Sequence, residues 1–102
     1  TASMRGSSGF SAFSSAKFAL RAVAQSMARE LGPQGIHVAH FVIDGAIDTA
    51  FIKEMFPDTY ALKEKDGILQ PDSIADAYWF VHTQHRSSWT HELDLRPYME
   101  KF

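Results

Sequence analysis

Between residues 11 and 31 apolar side chains return at steps of three and four: Phe13, Ala16, Leu20, Val23, Met27 and Leu31. That spacing lines one face of an α-helix. Ala12, Ser15, Ala19, Ala22 and Ser26 repeat it on an adjacent stripe, with side chains small enough to let a second helix approach closely. The pattern predicts a helix over 11–31 that is buried on two sides. Gly9 and a capping Ser11 start it, and Gly32, in the left-handed conformation, ends it before Pro33. Arg29 in the last turn suits the negative end of the helix dipole. The next run, 36–43 (IHVAHFVI), is apolar on both alternating faces apart from His37 and His40, which is how a parallel strand covered on both sides reads. Asp44-Gly45 then turns the chain.

Residues 49–56 (TAFIKEMF) read as a short amphipathic helix ended by Pro57-Asp58, and 59–70 as a polar, mobile surface segment. Pro71-Asp72-Ser73 opens a second long helix whose stripe is Ile74, Ala77, Tyr78 and Val81. Residues 89–96 (WTHELDLR) read as a last strand, with Leu93 and Leu95 on one side, Glu92 and Asp94 on the other, and Pro97 as its stop. The order is helix, strand, helix, strand. This is an α/β chain with a parallel sheet, without repeats or a low-complexity linker, and residues 1–102 read as one domain.

Composition narrows the function classes. With 45% hydrophobic and 22% charged residues the chain is an ordinary globular protein. A net charge of -2 leaves no basic footprint for a phosphate backbone, so nucleic acid is not an expected partner. No apolar run reaches the roughly 18 residues of a membrane span, and no membrane association is expected. There are no cysteines, which excludes disulfides and thiolate chemistry and fits a cytoplasmic protein. His82 and His85 have a spacing that can hold a metal, but no third ligand stands near them, and no metal site is expected. No serine lies in a G-x-S-x-G context, which argues against a hydrolase.

Phe13 and Lys17 project from the same side of the predicted helix, one turn apart. The segment F-S-S-A-K, an alanine-rich helix, G-P-Q-G-I-H-V, a buried strand and D-G-A-I-D-T follow one another in an order that resembles the second half of a short-chain dehydrogenase/reductase. The resemblance covers nearly the whole chain. It implies the C-terminal half of a Rossmann-like parallel sheet, with the N-terminal nucleotide-binding half absent from these residues, and a nicotinamide-dependent oxidoreductase using NAD or NADP. In that family a Tyr-x-x-x-Lys pair does the acid-base work, and a Pro-Gly-x-x-x-Thr turn touches the nicotinamide. Carried over, Lys17 becomes the ribose-holding and catalytic lysine, and Phe13 stands where the family has its tyrosine. Ser3, within a serine-x-x-glycine pattern ending at Gly6, takes the position of the catalytic serine. Gly45, Ile47 and Thr49 take the turn's cofactor contacts, with Asp44 in place of its proline.

The departures set the functional expectation. A phenyl ring has no proton for an alkoxide. No G-x-G-x-x-G occurs to cradle a dinucleotide phosphate, so weak or no cofactor binding is expected from this chain alone. Read without the resemblance, Lys17 is a solvated lysine beside Arg21, Ser3 a loop serine, and Asp48 or Thr49 a helix cap. The expected protein is an oxidoreductase portion with impaired catalysis; the alternative is a non-enzymatic, self-associating binding or scaffold module. Either form is expected to be a homo-oligomer through helix 11–31, whose Ala/Ser stripe suits a two-fold contact.

Overall fold

The computed structural model describes residues 1–101. Helix α1 (Ser11–Leu31) forms where the sequence is rich in alanine and free of glycine and proline. Its ends differ from expectation. Phe10 is the N-cap and contributes no side-chain bond; Ser11 is already helical, and its carbonyl accepts the Ser15 hydroxyl at 2.7 Å. Gly32 is right-handed (φ -55°) and enters a 3-10 turn, Gly32–Gln34, that accommodates Pro33. The left-handed glycine comes later, at Gly35 (φ 81°).

The faces of α1 are also reversed from expectation. Ser14 and Ala24 are buried, with Lys17, Arg21 and Ala28 half-buried beside them, so this stripe faces the sheet. Phe13, Leu20, Val23 and Met27 are 55%, 53%, 52% and 42% exposed, and Ala12, Ser15, Ala19, Ala22 and Ser26 are exposed as well. Helix α1 is therefore covered on one side within this chain. The reason is geometric: the two strands described here offer one narrow seat, and small side chains with a paired arginine fill it.

Strands β1 (His40–Ile43) and β2 (Glu92–Leu95) are parallel, in the register His40↔Glu92 through Ile43↔Leu95. The strand expected over 36–43 is shortened to its last four residues, because ladder pairing begins only where β2 begins. Before that point side chains make the contact. His37 stacks on Trp89 with ring centroids 4.6 Å apart, and its Nε2 lies 2.8 Å from the Thr90 carbonyl.

The crossover between the strands holds α2 (Ala50–Met55), α3 (Pro57–Tyr60) and α4 (Pro71–His82). Thr49 caps α2 by accepting the Ile52 N–H at 3.3 Å. Residues 59–70 are not the open polar loop expected. They continue α3 into a 3-10 turn, Ala61–Lys65, bury Gly67 and Ile68, and pair Leu69 with Ile47 in a parallel bridge. Lys63 fastens this segment to the turn after β1 through Asp48, 2.8 Å away. On one side of the sheet Arg21 of α1 reaches Glu92 of β2; on the other Tyr78 of α4 stacks on Phe41 of β1 at 3.7 Å. Helices thus flank both faces, as a parallel sheet requires.

The apolar core is thin. Ala24, Val42, Ile68 and Val81 are its buried members. The chain exposes 7263 Å², whereas a compact protein of 11.4 kDa would expose about 5,800 Å². The surplus of about 1,500 Å² is on the scale of a protein–protein interface.

Candidate active site

A cleft of about 510 Å³ opens between α1, the N-terminal residues and the turn after β1. Into it the fold brings Ser3, Phe13, Lys17, Gly45 and Ile47, residues that lie up to 44 positions apart in sequence. Thr49 stands outside this lining, as the cap of α2. Ser3 is buried. The Lys17 ammonium sits 5.6 Å from the centroid of the Phe13 ring, in the cation–π range. Arg21, expected beside Lys17 on a solvated face, instead turns toward the sheet.

The turn after β1 packs its backbone closely against Pro97. Gly45 has φ 153°, and a Cβ there would come within 2.7 Å of Pro97 Cδ, so only glycine fits. The Ile47–Leu69 bridge uses the N–H groups of Asp48 and Leu69, each donating at 2.8 Å, and leaves the N–H of Ile47 outside it. The Asp44 N–H donates to the Leu95 carbonyl at 2.9 Å, a ladder bond that a proline could not make. Burial disfavours the Asp44 charge, but the Thr1 nitrogen and hydroxyl and the Arg96 guanidinium outweigh it and hold the carboxyl below its ordinary range.

Two lining residues were not singled out by sequence reasoning. Ser14 and His40 are each 6% exposed. The Ser14 hydroxyl is buried without a hydrogen-bond partner. His40 Nδ1 lies 3.1 Å from Glu92 Oε2, and Glu92 receives Arg21 Nε at 2.8 Å and an Arg21 terminal nitrogen at 2.5 Å. The Arg21 hydrogen bonds, joined by that of His40 and opposed by burial, hold the Glu92 carboxyl below its ordinary range. A signal for His40 was present, since a histidine inside an apolar strand needs a buried partner. Ser14 required the true rotation of α1.

His82 contacts the Trp79 ring, and His85 accepts the Ser87 N–H at 3.2 Å. Among the described residues no three His, Cys, Asp or Glu side chains are grouped to hold a metal ion, and no helix is long and apolar enough to cross a membrane.

The sequence pattern of the family described as short chain dehydrogenase matches residues 1–59, a stretch that contains the whole cleft lining. The crystal structure of a short-chain dehydrogenase from Rhodopseudomonas palustris is similar to this chain, with a TM-score of 0.63 and 47% identity over 95% of this chain and 34% of that one. The chain thus spans about a third of the length of that structure. No curated protein matches. The helix, parallel pair and flanking helices form part of a Rossmann-like fold, and the chain belongs to the short-chain dehydrogenase family.

Proposed function

We propose that this chain is the nicotinamide-end portion of a short-chain dehydrogenase/reductase-like oxidoreductase in which proton transfer from a tyrosine has been lost at Phe13. The observation that carries this reading is the convergence of Ser3, Phe13, Lys17, Gly45 and Ile47 on one cleft. Its chemistry fits the nicotinamide end of NAD or NADP. The walls are mostly apolar, the polar groups few, and the Ile47 N–H outside its bridge. Lys17 would hold the ribose hydroxyls, Ile47 N–H the carboxamide, and Ser3 the oxygen of a carbonyl substrate. Thr49 adds a hydroxyl at the margin of the turn. The nucleotide, when bound, supplies a hydride. Dinucleotide phosphates would be held by residues other than these, so the isolated chain has weak affinity and impaired catalysis. A cytoplasmic setting, which a chain without cysteine fits, belongs to the same proposal.

The test is a titration of the intact protein with reduced nicotinamide nucleotides, followed by nucleotide fluorescence, with the chain length fixed first by mass. Lys17→Met should weaken binding at least tenfold, about 1.4 kcal/mol, as expected for lost charged hydrogen bonds. Equal affinity of wild type and variant would refute the site.

One observation favours a second property, self-association. The outward face of α1 carries Leu20, Val23 and Met27 around Ala12, Ala19 and Ser26, all exposed. We propose a homo-oligomer that buries this face against its own copy. As a purely non-enzymatic module, the same chain would self-associate without binding nucleotide.

A further inference from the structure

Glu92 stands outside the lining of the cleft, yet its carboxylate is bonded to both the helix and the strand that wall it. Its Oε2 receives Arg21 Nε at 2.8 Å and lies 3.1 Å from His40 Nδ1, and its Oε1 receives an Arg21 terminal nitrogen at 2.5 Å. Two parallel bonds of this kind fix the planes of both groups, and a guanidinium stays charged at every working pH. His40 and Glu92 are partners in the strand ladder, so the carboxylate cannot slide along the sheet without breaking register. The pair is partly shielded, with 32% of the Arg21 side chain and 26% of the Glu92 side chain exposed, so salt and water screen it less than an open surface pair.

Lys17 lies one turn before Arg21, and the two share the stripe of α1 that faces the sheet. The other members of that stripe, Ser14, Ala24 and Ala28, are small and set little against rotation of the helix about its axis. Arg21 supplies that resistance. A side-chain end about 6 Å from a helix axis moves by about 2 Å when the helix rolls by about 20°, which is more than a hydrogen bond tolerates. We propose that Glu92, acting through Arg21, is a positioning residue for Lys17: it fixes the roll of α1 so that the ammonium group is presented to the cleft where a ribose hydroxyl can meet it. The inference rests on the nicotinamide reading above. The same carboxylate holds His40, which lines the cleft from β1, so helix and strand are kept in one frame around the nucleotide.

The experiment titrates the intact protein with both reduced nicotinamide nucleotides by fluorescence, as wild type, Lys17→Met, Glu92→Gln and the Lys17→Met/Glu92→Gln pair. Glu92→Gln keeps the shape and loses the charge, and should weaken binding about threefold to tenfold. In the Lys17→Met background the same change should alter affinity by less than about twofold, because its effect runs through the lysine. A substitution that only loosened the fold would weaken both backgrounds equally. Arg21→Lys keeps a cation beside Glu92 but gives up the paired bonds, and should fall between wild type and Glu92→Gln. If Glu92→Gln does not fold, Arg21→Lys carries the decision in the same cycle. A measurement without nucleotide is the acetylation rate of Lys17 by acetic anhydride, read by mass spectrometry against Lys53 on α2. Release of the helix roll should change that ratio at least about threefold. The proposal is overturned by wild-type affinity in Glu92→Gln, by equal losses in both backgrounds, or by an unchanged Lys17 ratio. Absence of nucleotide binding by the wild type, or equal affinity of wild type and Lys17→Met, would overturn the nicotinamide reading instead, and the Lys17 ratio would then decide alone whether Glu92 sets the lysine.

Discussion

Ala19 offers the most direct test of what covers α1. At 3.6 residues per turn it lies on the side of the helix opposite the sheet-facing stripe of Ser14, Arg21, Ala24 and Ala28. Its neighbours on that side are Ala12, Val23 and Ser26, so a second α1 can approach to the short end of the usual 8–10 Å interaxial range. Leu20, Val23 and Met27 flank the contact with about half of each side chain exposed. Fully burying such a side chain is worth about 1.5–3 kcal/mol, so the remaining half gives roughly 1 kcal/mol each and about 6 kcal/mol across a two-fold pair. Association costs about 4–15 kcal/mol in lost freedom, so this apolar burial alone gives a marginal dimer that depends on close packing at the alanines. Ala19→Arg removes that approach twice, once per copy, and sets two guanidinium groups against each other.

Several kcal/mol of desolvation and clash follow, and about 4 kcal/mol already means a thousandfold weaker dimer. Ala19 is exposed within the protomer, so circular dichroism and the unfolding midpoint of the dissociated chain should be unchanged. Sedimentation velocity over a concentration series is the assay. A dimeric Ala19→Arg protein, or a wild type that stays monomeric at every concentration, refutes the assignment of this face.

Two further substitutions probe the cleft's supports. Gly45→Ala places a methyl group 2.7 Å from Pro97 Cδ at a backbone angle that side chains resist, and should lower unfolding stability by about 1–3 kcal/mol in urea; an unchanged midpoint would contradict the geometry. Glu92→Gln should cost about 1–2 kcal/mol by weakening the bonds from Arg21 and His40. Because the folded Glu92 pKa is depressed by Arg21, the unfolded state binds more protons as pH falls, so stability should hold above about pH 5 and decline below about 4.3. Thermal melts across that window should lose part of this acid limb in the variant, and an unaltered pH slope would remove Glu92 from the network.

The chemical motif was more legible in the sequence than its setting. Phe13 and Lys17 share a helix side because of spacing, and α4 follows from Pro71 and its stripe. The orientation of α1 was not legible, because hydrophobicity points to whichever surface is buried in the functional body, and that need not lie in the same chain. Leu20 and Val23 look inward by pattern and stand outward here, while Arg21 looks solvated and reaches the sheet. The segment 59–70 misled for a related reason. Its order comes from a bridge between Leu69 and Ile47 and from the Lys63–Asp48 pair, contacts that join residues beyond any local window.

The arrangement of α1 also sets the surroundings of Lys17. Lys17 and Arg21 are one turn apart, and both turn away from solvent. Arg21 is clamped to the first residue of β2, which fixes the roll of the helix and thereby the direction of Lys17. The Phe13 ring, 5.6 Å from the ammonium, still offers its negative face, an attraction of about 0.5–1 kcal/mol at an exposed site. The phenyl group at this position thus forms part of the cation's surroundings. The clamp that orients the lysine ends on the carboxylate that also holds His40, so one side chain of β2 ties α1 and β1 together beside the cleft.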